Sequence, residues 1–281
     1  MTAIARIRDY YIILGYDGKQ DKHNRLEQPN HKWYNFPISQ YVRWIMFFFD
    51  ESYRTFQPFT LAHLYPVLVL IALIILIIIF KKNLRENRKA DKIIRYSIAI
   101  TMIVMEWIHY AWVISRSGFM LSLLPLGLCA ISMYLTAFTL FLDSKKLFKI
   151  VFPWAIIGSV MSLLIADLAY SFPHFRYLHY FGNHELFLFA NLYLVIIRGW
   201  RMTYRDVLKS SAILFSISVV LYLVNPLLNT NHMFLMELPH EVSFLFSWMG
   251  ERLWVVGFVI GIFILINLVS LPIRDKQYLK S

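Results

Sequence analysis

Apolar residues gather along this chain into seven long runs, and the polar residues between them fall in short, largely basic connections. The runs cover Leu61 to Phe80, Ile93 to Ser115, Phe119 to Leu142, Ile150 to Tyr170, Leu178 to Ile197, Val207 to Asn225 and Arg252 to Leu271. Each is close to the roughly 20 residues that a helix needs to cross a bilayer. The pattern predicts seven transmembrane helices. Upstream, Ile38 to Phe49 mixes Arg43 and Trp44 with three consecutive phenylalanines and is too short to span. It is expected to lie along the membrane as an amphipathic interfacial helix. The fold class is therefore all-α: a polytopic membrane protein with an interfacial region over 1–60, a seven-helix domain over 61–271 and a tail over 272–281. No basic segment, apolar core and small-residue cleavage site follow one another at the start, so no removable signal peptide is expected.

Composition points the same way. At 58% hydrophobic and 16% charged, 281 residues carry more apolar surface than a soluble core of that size can hide. The formal charge of +11 would suggest a nucleic-acid partner in a soluble domain, but here the basic residues sit between apolar runs and read as a topology signal. Seventeen Lys and Arg fall in the connections 81–95, 145–149 and 198–209 and in the tail, against three, Arg116, Arg176 and Arg252, in the alternate connections. That bias places the first set in the cytoplasm, with the C-terminus inside, the N-terminus outside and the chain in the plasma membrane. Membrane lipids, not nucleic acid, are the partners implied.

With the spans so oriented, the polar residues fall on one side. His63, Glu106, His109, Tyr110, Asp167, His179, Asn183, His184, Asn225 and Asn231 lie in outer halves or at outer ends, and Asn191 is the main polar residue of the inner halves. An ionisable side chain in hydrocarbon costs roughly 2.5–3.5 kcal/mol on insertion scales and is retained for a reason. An outward-facing polar cavity follows. Glu106 and His109, three apart, share a helical face where they are expected to share a proton or a hydrogen bond. His179 and His184 are five apart and diverge by about 140°, a spacing unlike that of a metal site. No metal and no cofactor are expected.

Cys129 is the one cysteine of the chain, so there is no internal disulfide. It follows Pro125 and Gly127, a step that lets a helix bend and another group approach its backbone. Given a base within reach, its thiolate is the natural nucleophile. As a small packing residue it would have no such role.

The segments LLPLGLC at Leu123–Cys129, FPHFRYLHYFGNHELFLFANLY at Phe172–Tyr193 and NTNHMFLMELP at Asn229–Pro239 resemble the YwaF-like family of bacterial multi-span proteins. The resemblance runs from Phe56 to Leu271, and the family's histidines match His63 and His184 while its Asn-rich motif matches Asn225 and Asn231. Eukaryotic relatives are associated with cysteine-dependent acyl transfer onto lysophospholipids. The resemblance thus implies that Cys129 carries an acyl group as a thioester, that His184 is the base, and that Asn225 or Asn231 orients the lipid or the oxyanion. One departure is plain: where the family has a histidine two residues before the cysteine, this chain has Gly127. The alternative is a non-catalytic carrier or receptor for a small amphipathic ligand anchored by Glu106, His109 and Asp167.

Overall fold

The computed structural model describes residues 47–275 apart from Glu51, Arg54 and Asp167. The expected interfacial helix Ile38–Phe49 lies almost wholly outside the described residues; its last two, Phe48 and Phe49, follow Phe47 into a short turn whose Phe49 ring stacks on Phe175 at 4.9 Å.

Long helices form where the apolar runs are, and their ends are set by identifiable residues. They are α1 (Leu61–Ile79), α3 (Arg88–Ser117), α4 (Leu128–Leu142), α5 (Lys145–Leu164), α6 (Phe175–Ile196), α7 (Tyr204–Leu228) and α9 (Gly250–Ser270), with short helices α2 (Lys81–Glu86) and α8 (His240–Ser243) between. The described residues form no strand beyond an isolated bridge between Met202 and Arg274. Asn87 caps α3 through Ala90 N, Ser144 caps α5 through Leu147 N, and Thr203 with Asp206 makes a reciprocal capping box on α7. Each such cap stabilises its helix by about 1 kcal/mol. Among the described residues five helices, α1, α3, α5, α7 and α9, are long and apolar enough to cross a membrane. The apolar α4 is shorter, and α6 is too polar along its length to join them.

The run Phe119–Leu142 does not form one helix. Pro125 has no N–H to give and pushes Leu124 away from helical geometry, so the chain passes through a short turn at Leu121–Leu123, then extended backbone at Leu124 (ψ 136°), before Gly127 opens α4. The Pro-x-Gly step therefore ends up ahead of the helix, where a bend within it was expected. Cys129 becomes the second residue of α4.

α6 stands at the centre, packed against α1, α3, α4 and α5, which is why it can be polar: its Asn183, Glu185 and Asn191 face protein and not lipid. α9 rests more lightly, on α5 and α7. The lipid-facing side chains are apolar, as Leu64, Leu68, Ile71 and Ile75 of α1 illustrate.

One end of the bundle is tied by charge. Asp91 of α3, 3% exposed, accepts from Arg95 Nε at 3.1 Å, Arg198 Nη1 at 3.1 Å and the Tyr193 hydroxyl at 3.0 Å. Arg95 also donates to the Leu140 carbonyl, and Arg198 reaches Asp143, at the end of α4, at 2.5 Å. Arg85 of α2 closes the adjoining end of α6 by donating to the carbonyls of Ile196 and Ile197 at 2.8 and 3.1 Å. This is the basic end. The other end holds the cavity.

Candidate functional site

Helices α3 to α7, α9 and the loop after α7 enclose a cavity of about 1190 Å³, lined mostly by apolar side chains. Its polar lining includes Glu106, His109, Tyr110, Cys129, Ser162, Arg176, His179, Tyr180, Asn183, His184 and Asn231. These come from four separate helices and the loop after α7, so only the packing around α6 unites them.

The thiol sits in a tailored niche. Cys129 Sγ lies 3.6 Å from the Ser162 hydroxyl, and Gly158, one turn earlier on α5, leaves the space the sulfur fills: a Cβ there would approach it to 3.2 Å. As the second residue of α4, Cys129 lies in the first helical turn, whose amides have no preceding carbonyl to bind.

His184 enters the same cavity from α6. Its Nδ1 is 2.6 Å from the Tyr180 carbonyl, and a carbonyl only accepts, so Nδ1 carries the hydrogen and Nε2 the lone pair. Nε2 has no hydrogen-bond partner among the described residues. Tyr180 also bonds the Ser162 carbonyl at 3.0 Å, linking the histidine's support to the helix that flanks the thiol.

A second polar line crosses the cavity. Arg176 Nη1 is 2.9 Å from His179 Nδ1; because a guanidinium only donates, Nδ1 accepts, and Nε2–H then donates to Glu106 Oε2 at 2.8 Å. Asn183 donates to the same oxygen at 3.1 Å. His109 does not pair with Glu106, as the three-residue spacing suggested. Its ring stacks on His179 at 4.2 Å instead, and its Nδ1 is buried without a partner among the described residues.

His63 and Asn225, also singled out from the sequence, fall outside the cavity lining, and Asn231 lies on it but binds its own loop. His63 is outside the cavity lining: Nδ1 accepts from Phe59 N at 3.0 Å and Nε2 donates to the Leu163 carbonyl at 2.6 Å, pinning α1 to α5. Asn225 is fully buried and holds the backbone of His232, accepting from its N at 2.9 Å and donating to its O at 3.0 Å. Asn231, on the lining, binds Met236 N and the Glu237 carbonyl and so shapes the same loop. Asp167 lies outside the described residues.

Sequence reasoning missed Ser162, Gly158 and Glu185. A serine or glycine in an apolar run carries no signal of its own. Glu185 did carry one, as a carboxyl in mid-helix beside His184; it is 7% exposed with Oε1 unpartnered among the described residues, and it is not part of the cavity lining.

No match emerged among curated proteins or among solved structures. The family comparison did return a match, over nearly the same stretch that carried the motif resemblance. The model of the TMEM164 family, a family of membrane proteins, covers residues 55–270, most of the chain, and the protein therefore belongs to the TMEM164 family.

Proposed function

We propose that this protein is a seven-span acyltransferase of the plasma membrane that uses Cys129 to move an acyl group between phospholipids. In this reading α4 and α6 complete the spans begun by the five long apolar helices, the basic end faces the cytoplasm, and the cavity opens to the outer side. The YwaF-like motifs and their cysteine-dependent relatives support the chemistry. The observation that carries it is the pairing in one apolar cavity of a helix-terminal thiol with a histidine whose free Nε2 is fixed by the Tyr180 carbonyl.

The steps balance with these groups alone. His184 Nε2 takes the thiol proton of Cys129, and the sulfur attacks the ester carbonyl of a donor phospholipid. The uncapped first-turn amides of α4 are the donors assigned to the oxyanion in this reading. The C–O bond breaks, the departing alkoxide takes the proton back from His184, and a lysophospholipid leaves. An acceptor lysophospholipid then gives its hydroxyl proton to His184 and attacks the thioester, regenerating the thiol. Gly127, in place of the family's histidine, leaves His184 as the base, while Asn225 and Asn231 act through the loop they hold.

Lipid profiling of cells expressing wild type, Cys129→Ser and His184→Ala at matched levels tests this. A shift in acyl-chain distribution that disappears in both variants supports the transferase. Identical profiles in all three would discard it in favour of the carrier or receptor reading, which the absent motif histidine favours.

A further inference from the structure

Two arginines at the basic end are answered by carboxylates, Arg95 by Asp91 and Arg198 by Asp91 and Asp143, while Arg85 binds carbonyls. Arg176 is not so answered. No described carboxylate lies within 4 Å of it; its one polar side-chain contact is the neutral Nδ1 of His179, and its guanidinium lies over the Tyr180 ring at 5.5 Å. Glu106 answers it only across the imidazole, and that carboxylate oxygen already accepts from His179 and Asn183.

A half-buried guanidinium with most of its donors unused, on the lining of a largely apolar cavity, is an incomplete ion pair. Its planar fork suits a phosphate, which it can bind with two parallel hydrogen bonds. The same lining is apolar at Ile157, Met161, Leu214, Phe258, Ile262 and Leu265. At about 1190 Å³ the cavity exceeds the roughly 300–1,000 Å³ of ordinary small-molecule sites. We infer that Arg176 is the anchor for the phosphate of a single-chain phospholipid whose acyl chain lies along this apolar lane. The inference rests on the lipid-substrate reading above and names the group that selects the substrate.

The test is binding, on the full chain in detergent with Cys129→Ser present so that turnover plays no part. Native mass spectrometry compares oleoyl lysophosphatidic acid with monooleoylglycerol, which differ only in the phosphate, and with inorganic phosphate. The expected result is a preference of about tenfold or more for the phosphorylated lipid. Arg176→Gln should bring the two lipids level by weakening the first alone, and Arg176→Lys should keep part of the preference. Undiminished binding of monooleoylglycerol by Arg176→Gln certifies its fold. A preference that survives Arg176→Gln overturns the inference, and so does inorganic phosphate that displaces the lipid at equal concentration, since the site would then take free phosphate. If the preference holds while Cys129→Ser leaves cellular lipid profiles unchanged, the transfer reading fails and the anchor stands.

Discussion

Two polar regions face each other across this bundle, and they differ in one respect. At the basic end the central charges have their opposites in direct contact: Asp91 accepts three hydrogen bonds, and Arg95 and Arg198 each touch a carboxylate. In the cavity the groups stop short of closure. His184 Nε2 has no described partner, Arg176 meets only an imidazole, and the thiol of Cys129 touches a single hydroxyl. A saturated network ties α3, α4 and α6 together and has nothing left to give. An unsaturated one of similar composition is open to a ligand. Buried polarity alone therefore separates neither structure from function; what separates them is whether the hydrogen-bonding capacity is used up.

The contrast can be broken from the saturated side first. Asp91→Ala removes the carboxylate that Arg95, its side chain 7% exposed, and Arg198 share, leaves both only Asp143, and should cost about 3 kcal/mol. Thermal unfolding in detergent reads this, and a change under about 1 kcal/mol would mean that the knot is not holding the end together. From the open side, His184→Ala should lower acyl transfer by about 10²–10⁴-fold. Its unfolding midpoint should move less than that of Asp91→Ala, because Nε2 has no described partner and Nδ1 binds only a carbonyl of its own helix.

A smaller effect tests the turn between the regions' helices at the cavity end. Burial, helped by Arg116 and Arg176, pushes His174 down to about 4 from its usual 6.5, so the folded protein keeps this ring neutral. The unfolded chain takes up a proton below 6.5 that the folded chain refuses until about 4. Stability should thus fall as pH is lowered through that window, and His174→Phe should flatten the fall. Smallest of all is Gly127→His. The position has open space where a Cβ would stand and an ordinary φ of −70°, so the histidine should shift stability by no more than about 0.5 kcal/mol. If the family's histidine is a second base, the variant should transfer acyl groups faster than wild type.

The long helices were legible because apolar runs of spanning length have few alternatives in a chain this hydrophobic. Their ends were less so. Pro125 reads as a bend until one sees that the residues before it have no helix to belong to. Of the cavity lining, Glu106, His109 and His184 were legible from cost, since each is expensive in lipid, and Cys129 only as the one cysteine of the chain. Their partners were not. Glu106 has a histidine three residues away and takes one 73 residues away, because α6 sits at the centre and α3 turns that face toward it. The basic end escaped notice for a different reason: its arginines lay in connections whose charge was spoken for by topology, and nothing in the spacing of Asp91, Asp143 and Arg198 says that they meet.

The late start of α4 has a consequence for the membrane itself. Its 15 residues reach only about 22 Å at 1.5 Å per residue, against about 30 Å of hydrocarbon. The amides of Leu128, Cys129 and Ala130 border the cavity at a helix end that no side chain caps. Backbone left open at that depth must meet water or an oxygen-bearing guest. In the seven-span arrangement proposed above, this predicts a wet inlet through part of one leaflet, with a permeability barrier over Cys129 thinner than the bilayer around it. A charged, membrane-impermeant thiol reagent should reach Cys129 from the cavity side alone.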